Sequence, residues 1–178
     1  MSRVFYVVRG LPGSGKTTYA KEWVKEDPEH RARFNRDDLR DMVHAGVYIG
    51  KGTEYQIVHY QQVLIREALS LGNDVVCDDT NLNDETVDRL VLAARSVVGV
   101  LSHIIDFRHV PLEVCVARDV ARGIKGGNMI GREVIEDMSN REIWPWQQPD
   151  GSVTDQLFDP ETNEPIITNP KHPDYIAT

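Results

Sequence analysis

A glycine-rich run set between an apolar strand and an amphipathic helix constrains this chain more than any other feature. Residues 10–17 read Gly10-Leu11-Pro12-Gly13-Ser14-Gly15-Lys16-Thr17, the full G-x-x-x-x-G-K-[ST] spacing of a phosphate-cradling loop. Before it, Val4-Phe5-Tyr6-Val7-Val8 is a continuous apolar, β-branched and aromatic run, which suits a strand buried on both faces. After it, Ala20, Trp23 and Val24 recur at helical spacing. The chemistry accounts for the residue types. Gly10, Gly13 and Gly15 let the backbone curl until its N–H groups point inward at an anion, and the helix N-terminus adds partial positive charge. Lys16 brings a mobile full charge to the outer phosphates, and Thr17 places a hydroxyl on Mg²⁺. With Ser14 and Thr18 beside them, these residues form the expected nucleotide-binding set. The expected ligand is ATP or another nucleoside triphosphate.

The 178 residues suit one domain with a tail. Strand and helix signals alternate. Strand candidates lie at 4–8, 32–35, 75–77 and 100–107, with helical patterns at 18–25, 54–70, 84–97, 111–121 and 132–142. Such alternation implies a parallel sheet covered by helices on both faces. Ligands in these sheets sit beyond the carboxyl ends of the strands. The phosphate loop, Asp37-Asp38 and Asp78-Asp79-Thr80 all follow strands, so they are expected at one edge. Residues 1–143 form this domain. From Trp144 the composition changes, and prolines crowd an acidic extension over 144–178, where long helices are excluded. Phe158 and Ile166-Ile167 predict a small hairpin there, and Trp144-Pro145-Trp146 reads as packing rather than base stacking.

The net charge of −8 argues against broad duplex binding. Residues 1–141 carry only −2 of it and residues 142–178 carry −6, so arginines can still gather at one mouth. Cys77 and Cys115 lie in apolar segments, which predicts reduced, buried thiols. No apolar run approaches membrane-spanning length, and the strand at the start leaves no room for a secretory signal. A cytoplasmic compartment without membrane contact is expected, and a homo-oligomer is compatible with these features.

Three further segments carry chemistry. Asn35-Arg36-Asp37-Asp38-Leu39-Arg40 packs two acids and two bases into one strand-to-helix corner. Phosphoryl transfer to a hydroxyl needs a carboxylate near the nucleophile and cations that hold the acceptor. Asp37 or Asp38 suits the base and Arg40 an acceptor phosphate. Helix capping explains the acids equally well. Asp78-Asp79-Thr80-Asn81 suits metal or substrate contacts, or an Asx-type turn. Arg118 and Arg122 share a helical face before the Gly123–Gly127 segment, as in a mobile cover that neutralises a transferring phosphoryl. Helix C-terminal cations are also favourable without function.

Taken together, G-L-P-G-S-G-K-T at 10–17, N-R-D-D-L-R at 35–40, D-T-N-L-N at 79–83 and R-D-V-A-R-G at 118–123 resemble the kinase domain of bacteriophage-type polynucleotide 5′-kinases. The resemblance covers roughly residues 3–141 and implies a three-layer P-loop kinase fold. It also implies transfer of the γ-phosphate of ATP to 5′-hydroxyl ends of DNA or RNA in nucleic-acid end repair, inside a host cytoplasm. By resemblance Asp37 is the general base and Arg40 contacts the acceptor phosphate. Lys16 and Thr17 serve donor and metal, and Arg36, Asp79 and Thr80 border the substrate. Arg122 is the lid arginine, with Arg118 on the donor side. Many members carry a phosphatase domain marked by D-x-D, a spacing absent from this chain. The chain therefore reads as a kinase-only protein or a piece of a longer one. A small-metabolite kinase and a nucleotide-dependent binding switch are the competing functions.

Overall fold

The computed structural model describes residues 3–141 and two short strands at 156–158 and 165–167. β1 (Arg3–Arg9) leads through the glycine-rich loop into α1 (Lys16–Glu26). β2 (Arg31–Phe34), α2 (Arg36–His44), α3 (Lys51–Ser70), β3 (Asp74–Cys77) and α4 (Asp84–Arg95) follow. β4 (Val100–Asp106), α5 (Leu112–Ile124) and α6 (Arg132–Arg141) complete the domain. The four strands form one parallel sheet in the order β2-β3-β1-β4.

Side-chain alternation along β1 divides the interior. Phe5 and Val7 join Val75 and Cys77 in a core closed by Ile65 and Leu69 of α3 and Leu90 and Ala94 of α4. Val8 and Val76 point to the other face, where Ala20 of α1 covers them with Tyr6 and Trp23 alongside. A third cluster joins Leu11 of the loop to Cys115 and Val116 of α5 and Ile135 of α6. Two covered faces explain why the strands read as unbroken apolar runs rather than alternating ones.

Register places the chemistry. Val7 and Phe34 both stand level with Cys77, so the ends of β1, β2 and β3 finish together. The three expected corners meet at one edge as a result. Gly10 donates its amide to the Thr80 carbonyl at 3.0 Å, and Asn81 donates from Nδ2 to the Val8 carbonyl at 2.9 Å.

The helix expected from residue 54 begins at Lys51, after Gly50 at φ 146°. In the extension Leu157 pairs antiparallel with Ile166. The turn between these strands and Trp144-Pro145-Trp146 lie outside the described residues. Among the described residues no helix is long and apolar enough to cross a membrane.

Candidate active site

The glycine loop has the shape an anion needs. Gly10, Gly13 and Gly15 have φ of 145°, 81° and 112°, values that side chains with a Cβ resist. Space adds a second demand at Gly13, where a Cβ would run into the Cys115 carbonyl of α5. Lys16 is buried and donates from Nζ to the Leu11 carbonyl at 2.7 Å and to Ser14 Oγ at 3.3 Å. Burial pulls its ammonium down to about 8, with the carboxylates of Asp78 and Asp79 opposing and Arg122 assisting. Thr17 and Thr18 are exposed at the start of α1, where a phosphate-bound cation would meet the Thr17 hydroxyl.

Sheet order places the two carboxylates that follow β3, Asp78 and Asp79, between the loop and the α2 corner. Arg33 grips Asp78 with Nε 2.8 Å from Oδ1 and Nη2 2.9 Å from Oδ2, and it also pairs with Asp38. The extra acid Asp78 is thus partnered and buried. Asp79 accepts from the Arg36 amide at 2.8 Å and from Gln61 Nε2 at 2.6 Å. The Arg36 guanidinium stands 3.3 Å away. Cys77, whose thiol burial pushes well up, lies against the same carboxylate. Asp79 therefore fastens α2 and α3 to the end of β3. Thr80 is held by its backbone against Gly10.

Helix capping falls to Asn35. Its side chain accepts from the Asp37 amide at 2.9 Å and the Asp38 amide at 3.3 Å. The Asp37 carboxylate has no capping role and is 75% exposed. Arg40 donates from Nη1 to Asp37 Oδ1 at 2.6 Å. The same guanidinium is held from its other side by Glu54 of α3, at 2.8 Å and 2.9 Å from Nη2. One arginine so orients two carboxylates, and any acceptor phosphate reaching Arg40 meets it already paired. A groove of about 270 Å³ opens beside this cluster, between α3 and α4, with Arg36, Glu54 and Gln61 on its wall.

α5 lies along the opposite side of the loop. Arg118 donates from Nη1 to the Ser14 carbonyl at 3.1 Å, against the backbone of the glycine-rich loop. Arg122 is paired with Asp119. Asp119 is buried and also accepts from the Gly131 amide at 2.8 Å and the Ile130 amide at 3.0 Å. Burial works to raise its carboxyl pKa, but those amides and Arg122 hold it below the usual range. The end of the segment between α5 and α6, at Ile130 and Gly131, is tied to this one side chain.

A family model described as an AAA domain matches residues 5–142. The chain belongs to this AAA-domain family. The AAA-domain chain is 27% identical over 157 residues to the L-seryl-tRNA(Sec) kinase of Methanococcus maripaludis, across 83% of this chain and 57% of that one. A chain in the structure of the Pnkp1/Rnl/Hen1 RNA repair complex superposes with a TM-score of 0.73 at 22% identity. That match covers 97% of this chain and 50% of the other. The APS kinase CysC of Mycobacterium tuberculosis, solved with AMPPNP and APS, gives 0.52 at 17% identity over 70% of this chain and 75% of its own. The chain thus spans about half the length of the first two proteins. These likenesses carry the fold, which is that of P-loop kinases.

The sequence-expected residues divide accordingly. Lys16, Arg118 and Arg122 gather with the loop, and Arg36, Asp37, Arg40 and Asp79 gather at the α2 corner. Arg33, Glu54, Gln61 and Asp119 were not anticipated. Their roles depend on partners far along the chain, as with Gln61 and Asp79 or Arg40 and Glu54. Only Asp119 had a signal, since it lies between two arginines of one helical face.

Proposed function

We propose that the AAA-domain chain is a polynucleotide 5′-hydroxyl kinase that moves the γ-phosphate of ATP or another NTP to the 5′-OH end of DNA or RNA. The observation that carries this reading is the Asp37–Arg40–Glu54 arrangement beside a groove at the same sheet edge as the phosphate loop. It offers a carboxylate to the attacking hydroxyl and a cation to the acceptor's first phosphate. The seryl-tRNA kinase and the RNA repair complex support an acceptor hydroxyl carried on nucleic acid.

In this reading the loop amides, Lys16 and Arg118 bind the triphosphate. Asp37 accepts the proton of the 5′-hydroxyl as its oxygen bonds to the γ-phosphorus and the bond to the nucleoside diphosphate breaks. Arg122 leaves Asp119 for the transferring phosphoryl, where added positive charge offsets the charge spread over its oxygens. Thr17 is the residue whose hydroxyl would hold Mg²⁺. The ion neutralises the donor's phosphate charge when bound.

The test is transfer from γ-labelled ATP, with and without Mg²⁺, to a nucleoside, a 3′-nucleotide and a short 5′-hydroxyl oligonucleotide. A steep rise in kcat/KM from nucleoside to 3′-nucleotide is expected, with Arg40→Ala flattening that step and sparing ATP affinity. Lysine at position 40 restores only part of it, because it lacks the planar fork. Equal activity on nucleoside and 3′-nucleotide selects instead a small-metabolite kinase, the class of the APS kinase.

A further inference from the structure

The groove between α3 and α4 has a composition that the transfer chemistry does not require. Tyr48, from the connection between α2 and α3, and Tyr55, on the first turns of α3, both line it. They are 61% and 71% exposed. Lys51 and Arg89 stand on the same walls, with Arg36 toward the Asp79 end and Gln62 along α3. The carboxylate on its wall, Glu54, is taken up by Arg40. In a chain of net charge −8, this opening is cationic and aromatic.

Exposed aromatic rings between cations match one ligand class well. Nucleic-acid bases stack on such rings, and the phosphates that follow find the positive charges. Arg40 links Glu54 on the groove wall to Asp37, so the groove and the Asp37 carboxylate share one hydrogen-bonded cluster.

The geometry points to this groove as the binding site for the terminal bases of an unpaired acceptor strand. Tyr48 and Tyr55 serve as the stacking surfaces, and Lys51 and Arg89 as the phosphate contacts. This assignment rests on the polynucleotide reading above and deepens it: acceptor affinity comes from base stacking in the groove, and Arg40 serves the first phosphate alone. Tyr48 and Tyr55 are binding residues that set acceptor choice and take no part in proton transfer.

The experiment joins binding to kinetics. Anisotropy of a labelled 5′-hydroxyl tetranucleotide, with ATP absent, reports the groove by itself. Tyr48→Ala and Tyr55→Ala should each weaken binding roughly 5- to 150-fold and raise the oligonucleotide KM similarly while kcat is kept. Phenylalanine at either position should restore wild-type values, since the ring and not the hydroxyl stacks. An acceptor whose 5′-terminal sugar lacks a base should bind more weakly to the wild type and lose less when the tyrosines are removed. Lys51→Ala and Arg89→Ala should each reduce the slope of log K against log salt by about 0.7.

Both tyrosines are solvent-facing, so melting temperatures should not move. Wild-type transfer to the oligonucleotide that ignores both alanine substitutions overturns the groove and leaves the kinase reading standing. Tyrosine-dependent binding without any transfer keeps the groove and overturns the kinase reading. Absence of binding together with absence of transfer overturns both.

Discussion

Lys16 sits where burial and function pull in opposite directions. Its ammonium is drawn down to about 8 because the loop removes it from water, whereas a triphosphate needs it charged. ATP binding above pH 8 must therefore take up a proton, and affinity should fall as pH rises beyond that point. Calorimetry at pH 9 in two buffers of different ionisation heat should show uptake approaching one proton, and Lys16→Met should show none. The stability sign follows from the same shift. The folded value lies below the unfolded value of about 10.4, so burying Lys16 costs stability at neutral pH, and that cost is relieved as pH climbs from 8 through 10.4. Asp37 makes a cleaner case because Asn35 has taken the capping role. Asp37→Asn should change stability by no more than about 0.5 kcal/mol and should cut turnover on the order of 10²–10⁴-fold while ATP affinity persists. A small loss of turnover removes Asp37 from the base role.

Among the elements, α2 and the α5–α6 pair show how one side chain places a whole segment. Asn35 starts α2 and Asp79 anchors it through the Arg36 amide, so Asp37 and Arg40 ride on a helix fixed at its first turn. Asp119 does the same for the segment between α5 and α6. It holds Arg122 and the amides of Ile130 and Gly131. Asp119→Asn replaces one acceptor oxygen with a donor against those groups, which costs about 1–3 kcal/mol. Hydrogen exchange at Ile130 and Gly131 should then speed up roughly 5- to 150-fold, while α4 keeps its protection. The Asp119 carboxyl is held below its usual range. Its stabilising contribution is therefore present above the unfolded value of about 3.9 and lost as pH falls through the folded value. Unchanged exchange in Asp119→Asn rules out this tie.

For the molecule as a whole, the order β2-β3-β1-β4 brings the glycine-rich loop, the α2 corner and Asp78-Asp79 to one edge. The charged side chains there are costly to hold close without a ligand: Asp78 and Asp79 are buried, and Lys16 is depressed. A nucleotide that binds only the folded chain shifts the unfolding equilibrium. Free ATP at a hundred times its dissociation constant adds about 2.7 kcal/mol, which for a chain of this size raises Tm by about 5–10 °C. Lys16→Ala should melt at or above the wild-type temperature without ATP, since the cost of burying the ammonium is removed, and should respond little to ATP. An equal ATP-induced rise in both proteins means that the loop is not the nucleotide site.

What the sequence determined by itself is local. The 10–17 spacing requires the loop, the runs on either side require a strand and a helix, and alternation along residues 4–107 requires a covered parallel sheet. Each of these patterns repeats within a few residues and reflects the period of one element. The helix start at Asn35 was equally local, yet the acids after it were legible as either caps or chemistry. Only the structure assigned capping to the asparagine. Sheet order is a different matter, because several orders share the same periodicity. Placing β3 between β2 and β1 brings Asp78 to Arg33 and Asp79 to Gln61. Packing α3 beside α2 brings Glu54 to Arg40 and opens the groove next to them. These ion pairs and the cationic, aromatic wall join residues whose separation along the chain says nothing of their distance in space, so only tertiary packing decided them.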